Sequence, residues 1–203
     1  MILSEESAIA DAALPVARFR SHLRLGSGFG EDGLQDDLLK GFLRAAIAAI
    51  EVRTGKVLMS REFAWVVYAW SDPQGARLPV APVTAVAGFV LVDAQSVETA
   101  VTADRYWLER DAQRPVLRPS GVLLPTIATG GHARIALTAG MAADWDGLPA
   151  DLGQAVLLLA AHYYEYRDET ALAAGCMPFG VSSLIERYRA LRLTPGAGSG
   201  AGQ

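Results

Sequence analysis

The spacing of apolar residues changes twice along this chain of 203 residues, and these changes restrict its fold more than any single motif does. Apolar residues recur at intervals of three and four through residues 34–52 and again through 152–166, which is the spacing of a helix. Between these stretches, residues 63–138 form short β-branched and aromatic runs separated by turn-forming residues, which is typical of strands. We therefore predict an α+β fold, in which a bundle of N-terminal and C-terminal helices carries an inserted small antiparallel β-sheet subdomain.

The same changes predict how the chain is divided. The units are the N-terminal helices of the helical core at 1–58, the inserted β subdomain at 59–141, the C-terminal core helix at 142–175, a docking-tail helix at 176–193 and a disordered tail at 194–203. The longest apolar run, 155–161, is far shorter than the roughly 20 residues of a membrane-spanning helix. The N-terminus lacks the basic region of a secretory signal. We expect a soluble intracellular protein with no membrane partner.

The helix predicted over residues 31–54 carries two apolar rows. The first row is Leu34, Leu38, Phe42, Ala45, Ala49 and Val52, and the second row is Leu39, Leu43, Ile47 and Ile50. A helix that is apolar on two sides is buried on two sides, either inside the monomer or against a neighbouring subunit. We predict that the second row contributes to a subunit interface.

The sequence contains no pattern that indicates catalysis, a cofactor or a metal. The glycines at 26–30 follow a helix rather than a strand and have the spacing GxGxG, which favours a loop over a nucleotide site. His162 and Glu165 share a helix face, but a helical two-metal site needs a second such pair. The single cysteine, Cys176, excludes an internal disulfide and has no histidine beside it. We therefore predict no catalytic residue, no cofactor and no metal.

Charge is distributed unevenly. The whole chain has a formal net charge of -4, which argues against binding nucleic acid by neutralising phosphates. The last segment, 177–203, contains Arg187, Arg189 and Arg192 against a single acid, Glu186. Such a basic tail either docks on an acidic partner or simply lies in solvent.

Six stretches follow one another in an order typical of a known family: 16–25, 42–55, 78–86, 137–140, 148–167 and 177–189. The most specific are the last two. One begins Leu148-Pro149 and ends His162-Tyr-Tyr-Glu165-x-Arg167, and the other reads Met177-Pro-Phe-Gly-Val-x-Ser-Leu-Ile-x-x-Tyr-Arg189. Together the six stretches resemble the head–tail connector (adaptor) proteins of tailed phages and of phage-like gene transfer agents.

The resemblance implies a structural virion neck protein and not an enzyme. Such adaptors form a dodecameric ring beneath the portal, with a central channel for double-stranded DNA. The implied partners are further copies of the chain, the portal protein, a stopper or other tail-side neck protein, and DNA that passes through without sequence-specific binding. The alternatives are another layer of the neck (a stopper or a tail terminator) or a small soluble enzyme with an unrecognised site.

The terminal segment is the part that the resemblance and its charge together assign to the portal. A short helix is marginal alone in water and needs a surface that covers its apolar stripe. The predicted portal-docking residues are Met177, Pro178, Phe179, Val181, Leu184, Ile185, Tyr188, Arg189 and Arg192. The alternative is that this segment packs on its own subunit and is only structural.

Overall fold

The computed structural model describes residues 1–25, 32–167 and 177–189, with side chains from residue 35 onward in the second range. Its helices are α1 (Val16–His22), α2 (Asp32–Thr54), α3 (Ala150–Glu165) and α4 (Phe179–Ile185). Its strands are β1 (Ile2–Glu5), β2 (Arg61–Val67), β3 (Ala76–Arg77), β4 (Val83–Val92), β5 (Glu98–Ala100), β6 (Tyr106–Glu109), β7 (Val116–Pro119) and β8 (His132–Ala139). The predicted α+β class, with a sheet between helical parts, is confirmed.

The long helix α2 ends where the sequence predicts. The Thr54 hydroxyl donates to the Ile50 carbonyl at 2.8 Å, and the Lys56 amide donates to the same hydroxyl at 3.2 Å. Gly55 follows with φ of +68°, a conformation that suits glycine because it has no Cβ. These contacts satisfy groups that the end of the helix would otherwise leave unpaired.

The helical core lies between α2 and α3, and it contains the second apolar row of α2. Leu39, Leu43, Ile47 and Ile50 are at most 1% exposed within the single chain. They pack in one cluster with Leu152, Val156 and Leu159 from α3. Our assignment of these four side chains to a subunit interface is therefore corrected: side chains covered by their own chain have no surface left for a neighbour. The other alternative, a core inside the monomer, accounts for them.

The inserted part contains a five-stranded sheet of order β1-β2-β8-β4-β5 and a three-stranded sheet of order β3-β7-β6, both antiparallel. Buried and exposed residues alternate along β8: Ala133, Ile135 and Leu137 are buried and Arg134 is exposed. The two sheets share one apolar core, in which Leu117 of β7 joins Trp65, Phe89 and other residues of the larger sheet. This core is separate from the helical one.

The strand β1 was not predicted, since we assigned residues 1–58 to helices. It pairs with β2 along one edge, and all four of its residues are exposed. A short edge strand with both faces open to solvent has no alternation of apolar and polar residues, so periodicity cannot reveal it.

Two of the passages of the chain between the helical core and the sheets, the one before β2 and the one after β8, lie side by side. The Ser60 amide donates to the Ala142 carbonyl at 2.7 Å, and Met59 and Ala142 form an isolated parallel bridge. At Gly140 a Cβ atom would lie 2.3 Å from the Ser60 Cα atom, too close for any side chain. This close approach explains the glycine at the end of β8.

A buried ion pair holds the same junction. Glu51, on α2, accepts two hydrogen bonds from the Arg61 guanidinium of β2, at 2.9 and 2.6 Å, and one from the Leu58 amide at 2.7 Å. The Arg61 Nε atom lies 2.9 Å from a Glu5 carboxylate oxygen on β1. Burial by itself would lower the pKa of Arg61, but the hydrogen bonds and charges of Glu51 and Glu5 outweigh it and raise the pKa. Arg61 therefore stays charged while it connects α2, β1 and β2.

We expect the substitution Glu51→Gln to lower the free energy of unfolding by about 3 kcal/mol, because it leaves a buried guanidinium without its main counter-charge. The matched control is Glu98→Gln, whose partner Arg134 lies at 2.8 Å in a pair that is about half exposed. The control should cost less than about 1 kcal/mol. Urea denaturation of both variants measures the difference, and equal losses would contradict a special role for Glu51.

Candidate docking and assembly surfaces

Of the residues that most resemble a chemical site, only His162 and Glu165 lie in the part of the chain that the structure describes. Within 1–25, 32–167 and 177–189, no group of three or more His, Cys, Asp or Glu side chains is placed to hold a metal ion. The His162 ring lies 4.7 Å from the Tyr166 ring, centroid to centroid. Cys176 and the glycines at 26–30 lie outside the described residues.

The terminal segment folds as a short helix followed by one 3-10 turn. Pro178 precedes α4, and its carbonyl accepts hydrogen bonds from the amides of Val181 and Ser182 at 3.0 and 3.1 Å. Residues Glu186–Tyr188 form the 3-10 turn. A proline just before the first turn suits a helix because its missing N–H group would have no partner there.

The segment packs against its own chain. Val181 is fully buried and Ile185 is 1% exposed, and both belong to the helical core beside α3. Our assignment of these two residues to a portal-docking surface is corrected for this conformation. Residues four apart share a helix face, so a helix with this stripe covers it on the nearest apolar surface, which is α3.

Asp151, in the first turn of α3, holds the end of the segment. The Tyr188 hydroxyl donates to Asp151 Oδ1 at 2.8 Å, and the Arg187 guanidinium lies 2.7 Å from Asp151 Oδ2. Burial raises the pKa of Tyr188 and the hydrogen bond to Asp151 raises it further, while Arg187 opposes both. The phenol is therefore protonated at neutral pH and able to donate. Tyr188 and Arg187 thus serve attachment to the chain's own body.

Other predicted docking residues remain at the surface. Phe179 is 88% exposed, an unusual exposure for a phenylalanine. Met177 and Leu184 are partly buried against the helical core, and Pro178 is partly buried. The exposed Arg189 lies 3.2 Å from Glu186. Arg192 lies outside the described residues. The structure thus separates an inner face of the segment, which belongs to the core, from an outer face centred on Phe179.

The first apolar row of α2 forms a second exposed apolar surface, which the sequence analysis did not assign to an interface. Leu38 of this row is 47% exposed and Val52 is 86% exposed. The signal was present, since both rows are apolar, but periodicity alone does not say which row faces the chain's own core.

Two comparisons with known proteins find nothing: no protein-family model matches the chain, and no curated protein does. Solved structures do match. A chain in the neck of an empty gene transfer agent particle, computed with C6 symmetry, is 52% identical with a TM-score of 0.87, over 97% of this chain and 99% of that chain. A chain in the neck of a native particle, computed with C12 symmetry, is 48% identical with a TM-score of 0.82 over the same shares. A third, in the virion of a native gene transfer agent, is 50% identical with a TM-score of 0.83, again over 97% and 99%.

The chain belongs to the neck proteins of gene transfer agent particles. At this identity and coverage, the predicted family is confirmed, and so is the setting in a phage-like particle. The prediction of a structural protein rather than an enzyme is confirmed by the same relatives, which are components of the virion. Among the described residues, none of the helices combines the length and the hydropathy that a bilayer crossing requires.

Replacing Tyr188 by Phe should loosen the terminal segment of this neck protein, because it removes the hydroxyl that donates to Asp151. We expect a loss of about 1 kcal/mol in local stability, the usual contribution of one such bond. Amide hydrogen exchange at Val181 to Ile185 measures it. Arg189→Ala is the control, since its pair with Glu186 is exposed and should contribute less. Unchanged exchange in Tyr188→Phe would show that Asp151 does not hold the segment.

Proposed function

We propose that this neck protein is the adaptor: a ring of twelve copies that joins the portal to the stopper or another tail-side protein and leaves a central channel for double-stranded DNA. The observation that carries the proposal is the pair of related neck structures, computed with C12 and C6 symmetry. A twelvefold ring satisfies both, because sixfold symmetry is contained in twelvefold symmetry. The adaptor motifs of this chain follow one another from helices to sheets and back to helices. This order supports the adaptor over a stopper or a tail terminator.

The charge of the chain supports passage of DNA rather than binding. Affinity for DNA grows with the number of phosphates that Lys and Arg neutralise. With a net charge of -4 on each copy, a ring would repel the duplex on average and let it slide. We propose contact without sequence-specific binding.

We propose that the portal docks on the outer face of the terminal segment. The support is the exposure of Phe179 and of Arg189, whose guanidinium group suits carboxylates on a partner. We also include Met177, Pro178, Leu184 and, from the sequence alone, Arg192 in the proposed surface. Val181, Ile185 and Tyr188 support it from inside, because they hold the segment on α3.

Deleting the terminal segment is a poor test, since it would also remove Val181 and Ile185 from the core. The substitution Phe179→Asp changes only an exposed side chain and should leave the free energy of unfolding unchanged. We expect it to weaken binding to purified portal at least about tenfold, because an exposed aromatic anchor is lost and a like charge added. Val97→Asp is the control: it adds the same charge at a residue that is 58% exposed before β5.

Co-sedimentation with the portal measures both variants. Undiminished binding of Phe179→Asp would assign the segment a structural role alone. Electron microscopy of the complex formed by the unaltered chain tests whether this protein is the adaptor layer. Twelve copies directly on the portal are the expected result, and binding to the tail-side proteins but not to the portal would favour a stopper or tail terminator.

A further inference from the structure

The longest helix of the described chain, α2, carries an apolar strip that nothing in the described residues covers. Leu38 and Val52 are 47% and 86% exposed, and Gly41, Ala45 and Ala48 between them are exposed too. At 3.6 residues per turn and 1.5 Å per residue, these five positions with Phe42 and Ala49 occupy a sector of roughly 120° and a length of about 21 Å. We refer to this outer face of α2 as the α2 strip.

The α2 strip is free of charge because the charged residues of the middle of the helix lie on another side. Lys40 lies 2.9 Å from a carboxylate oxygen of Asp11, and Arg44 pairs with the same residue. Glu51 is bound to Arg61. The helix thus has three faces: a core face, a face paired to neighbouring segments, and the α2 strip. Continuous apolar surface of this kind marks a contact with another molecule.

We infer that the α2 strip is the side contact between neighbouring copies of this chain, an inference that rests on the ring of the proposed function. Each copy in a ring must present a side face to its neighbour. Copies that each carry -4 repel one another, so a stable contact between them is best made by a surface without charge. A portal-docking surface, by contrast, is expected where the basic residues lie.

The shape of the α2 strip supports close packing against a neighbour. A Cβ atom built at Gly41 meets no other atom within 4 Å, so that position is open. Small residues in the middle of the α2 strip, at 41, 45 and 48, let the neighbour approach the backbone, and Leu38 and Val52 at the two ends provide larger apolar contacts. Phe42, at the edge, is held by an edge-on contact with Tyr164 of α3, 5.9 Å between ring centroids.

The first test compares Val52→Asp with Val122→Asp. Both valines are almost fully exposed, 86% and 84%, so neither substitution should change the melting temperature of the monomer. In particles made by cells whose own copy is replaced by the variant, we expect Val52→Asp to lower the amount of this protein per particle at least tenfold. Val122→Asp should leave that amount within about twofold of the unaltered chain. A twofold change corresponds to less than about half a kcal/mol of binding free energy.

The second test identifies what covers the α2 strip. A photo-reactive residue, in the substitution Val52→p-benzoylphenylalanine, is irradiated in assembled particles. A product with twice the mass of the chain is expected, and the same substitution at Val122 should not give it. A product with any other protein of the particle would overturn the inference.

The remaining outcomes separate the two proposals. If the unaltered chain is absent from portal-bound rings, the proposed function fails, and the inference with it. If the unaltered chain forms rings and Val52→Asp forms them equally well, only the inference fails. If Val52→Asp lowers the melting temperature as much as the core substitution Leu43→Ala does, the α2 strip is covered within the chain and is not a contact between copies. Leu38→Ser, which removes apolar surface without adding charge, should reduce ring occupancy in the same direction and by a smaller factor.

Discussion

The ion pair between Glu51 and Arg61 lies where the chain leaves its helical core and enters its sheets, and the arrangement of the two parts depends on it. Each part has its own apolar core, so apolar burial alone does not orient one on the other. Directional contacts do so: the bidentate pair, the hydrogen bond from Leu58 to Glu51, and the approach of Gly140 to Ser60.

The three faces of α2 give this helix a part in folding and, as we infer, a part in assembly. Its core face packs with α3. Its polar face forms ion pairs with Asp11 of the N-terminal segment and with Arg61 of β2. The α2 strip stays apolar and exposed. Placing the proposed side contact on the longest element of the described chain has a physical advantage. A rigid helix presents its side chains without the ordering entropy that a loop would lose on binding.

The terminal segment is part of the helical core, and we also propose it as the portal-docking surface. Its inner stripe is part of the core, and Asp151 fixes its end through Tyr188. Its outer side exposes Phe179 and Arg189, which we propose for docking. Docking on the portal therefore does not require the segment to leave the body, since the residues that attach it and those proposed to bind are different. This separation also explains why single exposed substitutions test docking better than truncation.

The sequence by itself determined the element types, the stop of α2 at Gly55 and the family, because helical and strand periods, turn residues and ordered motifs are local properties of the chain. It did not determine β1, whose exposed residues follow no period, nor which apolar row of α2 and which side of the terminal helix face inward. Leu39 and Leu38 are equally apolar neighbours, yet one is buried and the other is 47% exposed. Only the packing of α2 and α4 against α3 made that choice, because burial depends on residues distant in sequence that no local pattern contains.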